Sequence, residues 1–304
     1  MKNYGIILED IVQEDIDFVL GAQPLEILQP DRDWTPYLPP LELQNKGEET
    51  FACVTFSCLN TIETFGARKY GLQWNKSDRF TAKMSGTIPG QGNSFKKVMA
   101  SVRKDGVTDE EKWPFNVITV QDFYKPIPQE IIEEAKLSTI DIEFEYRIFT
   151  QRELDPEVLW EKLQYAPIQV GVCAWDSPVN GVYLRNNLPV NHAVMLYKGE
   201  YKKFWYIYDH YDKSVKKLAW DFNFGAAQQN TFNLNHPMYL VKLSNRPEVY
   251  AVDKNNKKHY IPNLAQLHKG TEIGVWGKED SIRTISESDL VGMEEGVPIQ
   301  FGII

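Results

Sequence analysis

Cysteine and histidine, the residues that most often form disulfides and metal sites, are scarce in this sequence. Its 304 residues include three cysteines and five histidines. An odd, small number of cysteines in a long chain excludes a disulfide scaffold. Neither Cys-x-x-Cys nor His-Glu-x-x-His occurs, so no zinc motif is present. The stretch Gly90-Gln91-Gly92 lacks the third glycine of a dinucleotide fingerprint. We therefore expect neither a metal ion nor a cofactor.

Excess positive charge and long apolar runs are also lacking. The 33 Lys and Arg residues face 42 Asp and Glu residues, which gives a net charge of −9. Because nucleic acids and anionic membranes attract basic surfaces, this balance argues against either as a partner. No apolar run approaches the roughly 18 residues that cross a membrane. The first residues do not have the pattern of a signal peptide.

Apolar spacing predicts three helices in the first half of the chain. Phe51–Phe65 is apolar on most faces, as in a buried central helix, and Gly66 is a natural end for it. Ser94–Arg103 carries an apolar stripe and begins at a serine suited to cap a helix. Pro156–Gln164 follows Asp155, a second capping residue.

After Pro167 the pattern changes to β-strands. Alternating apolar residues at 168–174 are followed by β-branched or aromatic runs at 191–197 and 204–208. Helices first and an antiparallel sheet later predict an α+β fold.

The composition divides the chain into three parts. Residues 1–22 are predicted to form an N-terminal arm, residues 23–245 the main domain, and residues 246–304 a small β-rich region. In the last part, 248–253 and 258–261 predict a hairpin, and Glu272–Trp276 predicts a further strand. This region is a candidate for contact with a protein assembly.

Cys53 is the first candidate for chemistry. It lies at the start of the predicted central helix, where backbone N–H groups stabilise a thiolate. It is either a small core residue or a nucleophile. A nucleophilic cysteine needs a histidine to accept its proton and a third group to orient the imidazole.

The predicted sheet supplies both of these groups. His192 heads one strand and Asp209 ends the next, so an antiparallel strand pair would bring their side chains together. The alternative is a core histidine and an unrelated aspartate at the end of a strand. Cys58 and Cys173 are predicted to be buried packing residues. His210 is predicted to lie at the surface, on the face opposite Asp209.

Six short motifs occur in order along the chain. They are Asp33-Trp34, Cys53-Val54-Thr55-Phe56-Ser57, Gly90-Gln91-Gly92-Asn93-Ser94, Gly106-Val107 with Trp113-Pro114-Phe115, Asn191-His192-Ala193-Val194, and Asp209-His210-Tyr211. In order and spacing they resemble the motifs of the papain-like (family C1) cysteine peptidases, over residues 28–243.

This resemblance implies a papain-like two-lobed fold, with a helical lobe and an antiparallel β lobe, that hydrolyses peptide or isopeptide bonds. Cys53 would be the nucleophile and His192 the base. Asp209, where the family has asparagine, would orient His192. Gln44 would stabilise the oxyanion together with the Cys53 backbone N–H. A peptide or protein substrate would bind along Gly90, Gln91, Gly92, Asn93 and Asn191.

The proline-rich lead at 33–44 is similar to that of the minimal, propeptide-less peptidases of bacteriophages and bacterial mobile elements. This similarity implies a bacteriophage protein, either cytoplasmic or virion-associated. The stretch ahead of the core is shorter than the family's usual inhibitory prosegment.

Besides Asp209, three features depart from the family pattern. Val54 stands where the family has a tryptophan after the nucleophile. Gln44 lies nine residues before Cys53, and Gly47 stands at the usual position of the oxyanion glutamine. Glu48 and Glu49 are acidic, and carboxylates near Cys53 oppose thiolate formation. They favour an alternative, a catalytically weak or inactive papain-fold protein with a structural or binding role, such as a virion component. Acyl transfer by the same triad also stays open.

Overall fold

The computed structural model describes residues 2–11, 26–70, 72–116, 119–212, 215–234, 238–253, 257–272, 275–276, 282–296 and 298–299. The chain forms two compact units. The larger comprises Met1–Lys69 and Trp74–Asn233, and the smaller comprises Tyr70–Gln73 and Leu234–Ile304. Part of the predicted N-terminal arm, residues 12–22, lies outside the described residues.

The central helix of the larger unit is α1, Cys53–Tyr70. Every residue from Cys53 to Gly66 is buried, as the all-round apolar pattern predicted. The predicted end at Gly66 is wrong. A glycine inside a helix costs only about 1 kcal/mol, and Arg68 in the last turn is held by hydrogen bonds from its Nε to the Leu28 carbonyl and the Gln29 side chain.

The described residues of this unit form five further helices. The predicted serine and aspartate caps are confirmed, since Ser94 accepts from the Lys97 N–H and Asp155 from the Glu157 N–H. No helix of the described residues is long and apolar enough to cross a membrane. The five helices are α2 (Asp78–Met84), α3 (Phe95–Asp105), α4 (Val120–Phe123), α5 (Gln129–Asp141) and α6 (Pro156–Lys162), and two 3₁₀ turns occupy Thr35–Tyr37 and Gln151–Leu154.

A seven-stranded sheet completes the larger unit, in the order β1-β7-β2-β4-β5-β6-β3. The central pairs β7–β2, β2–β4, β4–β5 and β5–β6 are antiparallel, and β3 pairs parallel with β6. The predicted α+β fold is therefore confirmed. The strands are β1 (Ile142–Ile148), β2 (Ile168–Val172), β3 (Val182–Tyr183), β4 (His192–Glu200), β5 (Phe204–Tyr208), β6 (Lys216–Ala219) and β7 (Ala226–Leu234).

In the part of the smaller unit that the structure describes, a five-stranded sheet, in the order β11-β8-β9-β10-β12, is accompanied by two helices. The predicted hairpin is confirmed as the antiparallel pair β9–β10. Of the predicted strand at Glu272–Trp276, residues 273–274 lie outside the described residues. Glu272 instead ends helix α7 (Leu264–Glu272), and Trp276 makes an isolated parallel β-bridge with Met238. The elements are β8 (Tyr239–Leu243), β9 (Val249–Val252), β10 (Lys257–Tyr260), α7 (Leu264–Glu272), β11 (Arg283–Ile285), α8 (Glu287–Val291) and β12 (Glu294–Glu295).

Strand β8 lies before residue 246, the predicted start of the β-rich region. It is hydrogen-bonded to β9 and β11. Its Leu240 and Val241 pack into two different apolar clusters, one with α7 and one with α8. Because successive strand residues face opposite sides of a sheet, β8 contributes to the apolar packing on both faces of the smaller sheet.

Candidate active site

Cys53 is the first residue of α1, and its side chain is fully buried. Burial raises the pKa of the thiol above its ordinary value. Hydrogen bonds from the backbone N–H groups of Ala193 and Val54 to the sulfur oppose this rise, whereas the charge of Glu49 adds to it. Since Ala193 follows His192 on β4, the contact places the thiol beside the start of that strand.

His192 and Asp209 meet as the strand pairing predicts. Strands β4 and β5 are antiparallel, with Met195 opposite Tyr208, so the start of β4 lies beside the residue that follows β5. His192 Nε2 lies 3.0 Å from Asp209 Oδ1, and both side chains have no exposed surface. The other ring nitrogen, Nδ1, is buried and makes no hydrogen bond to any described residue. That nitrogen is left to accept a proton from a neighbouring thiol.

Asp209 is held by several donors at once. The Tyr211 backbone N–H donates to Oδ1, at 2.9 Å. The Trp175 indole N–H donates to Oδ2, at 2.9 Å, and the Lys216 ammonium lies 2.8 Å from the same oxygen. Burial opposes ionisation, but the charges and hydrogen bond around the carboxyl outweigh it and hold the pKa of Asp209 well below its ordinary value. Asp209 is therefore ionised at neutral pH.

The prediction that His210 lies at the surface is wrong. Strand β5 ends at Tyr208, so the alternation of faces does not extend to His210. Its ring is fully buried, stacks on Phe56 at 5.3 Å, and lies 5.3 Å from the His192 ring. Burial and the charge of His192 lower the pKa of His210 to about 3. His210 is thus a neutral packing partner near the site.

Gln44, predicted to stabilise an oxyanion, is fully buried beside the N-terminal residues. Its Nε2 donates to the Tyr4 carbonyl at 3.3 Å and to Glu49 Oε1 at 2.7 Å. The two acidic residues differ in their contacts. Glu49 also accepts from the Phe51 N–H, whereas Glu48 accepts from the Val120 N–H. Of these two residues, Glu49 is the one whose charge raises the pKa of the Cys53 thiol.

The chain's own N-terminal residues lie against the predicted substrate wall. The Asn93 N–H donates to the Gly5 carbonyl at 2.9 Å, and the Ile7 N–H donates to the Asn93 carbonyl at 2.8 Å. This is a parallel β-bridge centred on Ile6 and Asn93. Residues 2–11, which we call the covering segment, therefore bind to the wall as an extended peptide.

The other residues predicted to bind substrate contact the same segment. The Asn3 side chain donates to the carbonyls of Gly90 and Gln91. The Asn191 carbonyl accepts from the Tyr4 N–H at 2.9 Å, and its side-chain amide donates to the Lys2 carbonyl at 2.8 Å. The structure thus brings together all five residues predicted to bind substrate around this one stretch of chain.

Two glycines allow the covering segment to approach closely. Gly5 and Gly92 both have positive φ angles, 113° and 97°. A Cβ added at Gly5 would overlap the Phe51 carbonyl, and one at Gly92 would overlap the Gly5 carbonyl. Glycine is needed at both positions because of its φ angle and because of its lack of a side chain.

Two side chains of the segment fill the site. The Tyr4 ring packs on the His192 ring, with centroids 4.8 Å apart. Ile6 is buried, and its Cδ1 lies beside Gly171 together with Val190 and Ala226. With the segment in place, neither Cys53 nor His192 is exposed to solvent.

Sequence reasoning missed three of these residues. Tyr4 lies in an arm with no recognised motif, and Trp175 and Lys216 lie at no motif position. Lys216 and Lys217 begin β6 together, and nothing in the local sequence distinguishes the buried lysine from its neighbour. Cys58 and Cys173 are buried packing residues, as predicted.

No family model matches the chain. No curated protein sequence matches it either. Among solved structures, xylellain, a cysteine protease from Xylella fastidiosa, aligns with a TM-score of 0.56 at 18% identity, over 76% of this chain and 95% of that chain. The proform of the ragweed pollen allergen Amb a 11, a cysteine protease, gives a TM-score of 0.53 at 17% identity, over 71% of this chain and 70% of that chain.

Procathepsin L 3 from the larval midgut of Tenebrio molitor gives a TM-score of 0.51 at 16% identity, over 70% of this chain and 72% of that chain. At these identities the likeness establishes the fold. The chain has the fold of the papain-like cysteine proteases.

Proposed function

We propose that this chain is a cysteine peptidase that hydrolyses peptide or isopeptide bonds through Cys53, His192 and Asp209. The observation that carries the proposal is the buried 3.0 Å contact between His192 Nε2 and Asp209 Oδ1, with the sulfur of Cys53 hydrogen-bonded beside the same strand. This arrangement supplies a nucleophile, a base and an orienting carboxylate.

The proposed mechanism follows from the free nitrogen of His192. Nδ1 accepts the thiol proton, and the thiolate attacks the substrate carbonyl. His192 then returns that proton to the leaving amine as the C–N bond breaks and a thioester forms. Water attacks the thioester, with His192 as the base, and releases the acid and the thiol. The Cys53 N–H and the Gln44 amide stabilise the oxyanion.

The covering segment supports Gln44 in this role and indicates the form of the substrate. Gln44 already donates to a carbonyl of an extended peptide, that of Tyr4. The segment binds Asn93 through backbone hydrogen bonds, which is how a strand is added to an existing edge. Ile6 occupies an apolar pocket. We therefore propose that substrates bind extended, with a branched aliphatic side chain in the Ile6 pocket.

The same contacts make the described form latent. A substrate cannot reach a thiol and an imidazole that have no exposed surface, so the covering segment must leave before turnover. In the described form the covering segment thus blocks the proposed cleft. On the resemblance alone, we also propose a bacteriophage origin and a cytoplasmic or virion-associated location.

The second candidate is an inactive papain-fold protein with a structural or binding role. The raised pKa of Cys53 favours it, because a protonated, covered thiol is a poor nucleophile. The two candidates differ in what happens when the covering segment is displaced. A latent peptidase gains activity, whereas a structural protein does not.

The test uses the full chain and the substitution Gly5→Ala, whose added Cβ would overlap the Phe51 carbonyl. Gly86→Ala is the matched control, because Gly86 also has a positive φ but has open space around it. We expect Gly5→Ala to speed iodoacetamide labelling of Cys53 and to release peptide-hydrolysing activity. Adding Cys53→Ala must abolish that activity, whereas Cys58→Ala must not. Rapid labelling without any hydrolysis of peptide libraries would favour the structural role.

A further inference from the structure

Lys216 is a buried cation next to the proposed triad. It begins β6, which pairs with β5, and Ile207 lies opposite Lys216 in that pairing. The register places its side chain beside the residue that follows β5. Its Nζ lies 2.8 Å from Asp209 Oδ2, and the two side chains are 2% and 0% exposed. A lysine with so little exposed surface is rare unless it is paired.

The ion pair has further neighbours among the described residues. The Lys216 ammonium also lies 2.6 Å from Asp212 Oδ1, and half of the Asp212 side chain is exposed to solvent. The Trp175 ring lies 5.5 Å from the ammonium. On the far side, Asp209 contacts His192, and the neutral ring of His210 lies nearby. Other titratable groups also face His192: the rings of Tyr4 and Tyr211 have centroids 4.8 and 6.0 Å from its ring, and the Cys53 thiol, on which the charge of Glu49 acts, lies beside the start of β4. Because water screens the half-exposed Asp212, its charge acts on His192 less than that of the fully buried Asp209.

A lone buried carboxylate would have two effects on the site. It would be costly to bury, and it would stabilise the imidazolium form of His192 over the neutral form that accepts a proton. Lys216 offsets the carboxylate charge on the oxygen that does not face His192. Oδ1 remains available to accept the hydrogen bond from Nε2.

We propose that Lys216 is a positioning residue that neutralises Asp209, so that the pair acts on His192 as a neutral hydrogen-bond acceptor. This inference rests on the proposed function for its catalytic meaning. The effect of Lys216 on the protonation of His192 can be measured without any substrate.

The test compares four full-length chains: wild type, Lys216→Met, Asp209→Asn, and the double variant Asp209→Asn/Lys216→Met. The pH midpoint of His192 protonation is measured by NMR of ¹³C-labelled histidine. An opposite or like charge within 4–6 Å moves such a midpoint by about 1 unit or more. We expect Lys216→Met to raise the midpoint, Asp209→Asn to lower it, and the double variant to return near the wild-type value.

A purely structural role for Lys216 predicts another result. Lys216→Met would then lower the melting temperature while the His192 midpoint stayed in place, and this outcome overturns the proposal. Lys216→Arg, which keeps the charge, should keep the midpoint. If Lys216→Met does not fold, the double variant decides. The proposal requires it to fold with a near-wild-type midpoint, and a midpoint as low as that of Asp209→Asn contradicts it.

The proposed function fails independently of this inference. If the Gly5→Ala chain labels at Cys53 with the same pH dependence whether or not His192→Ala is added, His192 is not the base. The NMR midpoints of the charge variants would still show whether Lys216 neutralises Asp209.

Discussion

Glu48 and Glu49 are neighbours in sequence with different surroundings. Glu49 hydrogen-bonds to Gln44 and its charge raises the pKa of the Cys53 thiol, whereas Glu48 binds the Val120 N–H. We predict that Glu49→Gln lowers the thiol pKa, because a glutamine oxygen still accepts from Gln44 but carries no charge. Glu48→Gln is the control and should leave the pKa of the Cys53 thiol unchanged. The measurement is the rate of Cys53 alkylation against pH, in the Gly5→Ala background. Coincident curves for the two variants would contradict the prediction.

Glu63 is a buried acid of α1, ten residues after Cys53 in sequence. Its Oε1 accepts from the Lys76 N–H at 2.6 Å, and burial raises its pKa to about 8. A raised pKa means that the fold favours the protonated acid. The stability from Glu63 is therefore fully present below the ordinary glutamate pKa and is lost as the pH rises towards 8.

Glu63→Gln should remove this loss. Each unit of pKa shift corresponds to about 1.4 kcal/mol, so we predict a smaller fall in unfolding free energy between pH 5 and pH 8 than in the wild type. Glu111, which is exposed, provides the control Glu111→Gln. Urea unfolding at the two pH values measures both variants. An unchanged pH dependence in Glu63→Gln would show that Glu63 ionises normally.

At the scale of the element, the covering segment is held by a few backbone hydrogen bonds and by close contact at Gly5. We predict that Gly5→Ala speeds amide hydrogen exchange at Ile7 and Asn93 at least about tenfold, since both N–H groups donate across that contact. The strand Ile168–Val172, buried throughout, should keep its protection. Equal loss of protection in both places would mean that the substitution unfolds the whole unit.

Elements whose partners lie nearby in the sequence were predictable. The buried helix, both capped helices, and the strand pair that joins His192 to Asp209 follow from local apolar spacing and from residue types. The contacts of Tyr4 with His192 and of Lys216 with Asp209 were not predictable. They depend on how distant parts of the chain approach one another, and nothing in the local sequence specifies that.

At the scale of the whole molecule, the two compact units give a prediction about where the chain can be shortened. A chain ending at Leu234 keeps all of β7 and both proposed catalytic strands. A chain ending at Leu243 also carries β8, whose buried Leu240 and Val241 lose their cluster partners. We predict that the shorter chain is monomeric and cooperative in thermal unfolding, and that the longer one aggregates. Light scattering during a melt distinguishes the two chains, and equal behaviour would contradict the prediction.

The covering segment belongs to the same polypeptide as the cleft that it fills, so closure is a first-order process. A tethered segment meets its site at an effective concentration on the order of millimolar. Diluting the protein therefore does not open the site. A free peptide that copies residues 2–11 must be added at roughly that concentration to close a Gly5→Ala chain again. If the chain is the peptidase proposed above, its activation requires an event that acts on the segment itself, such as proteolytic removal or capture by another surface.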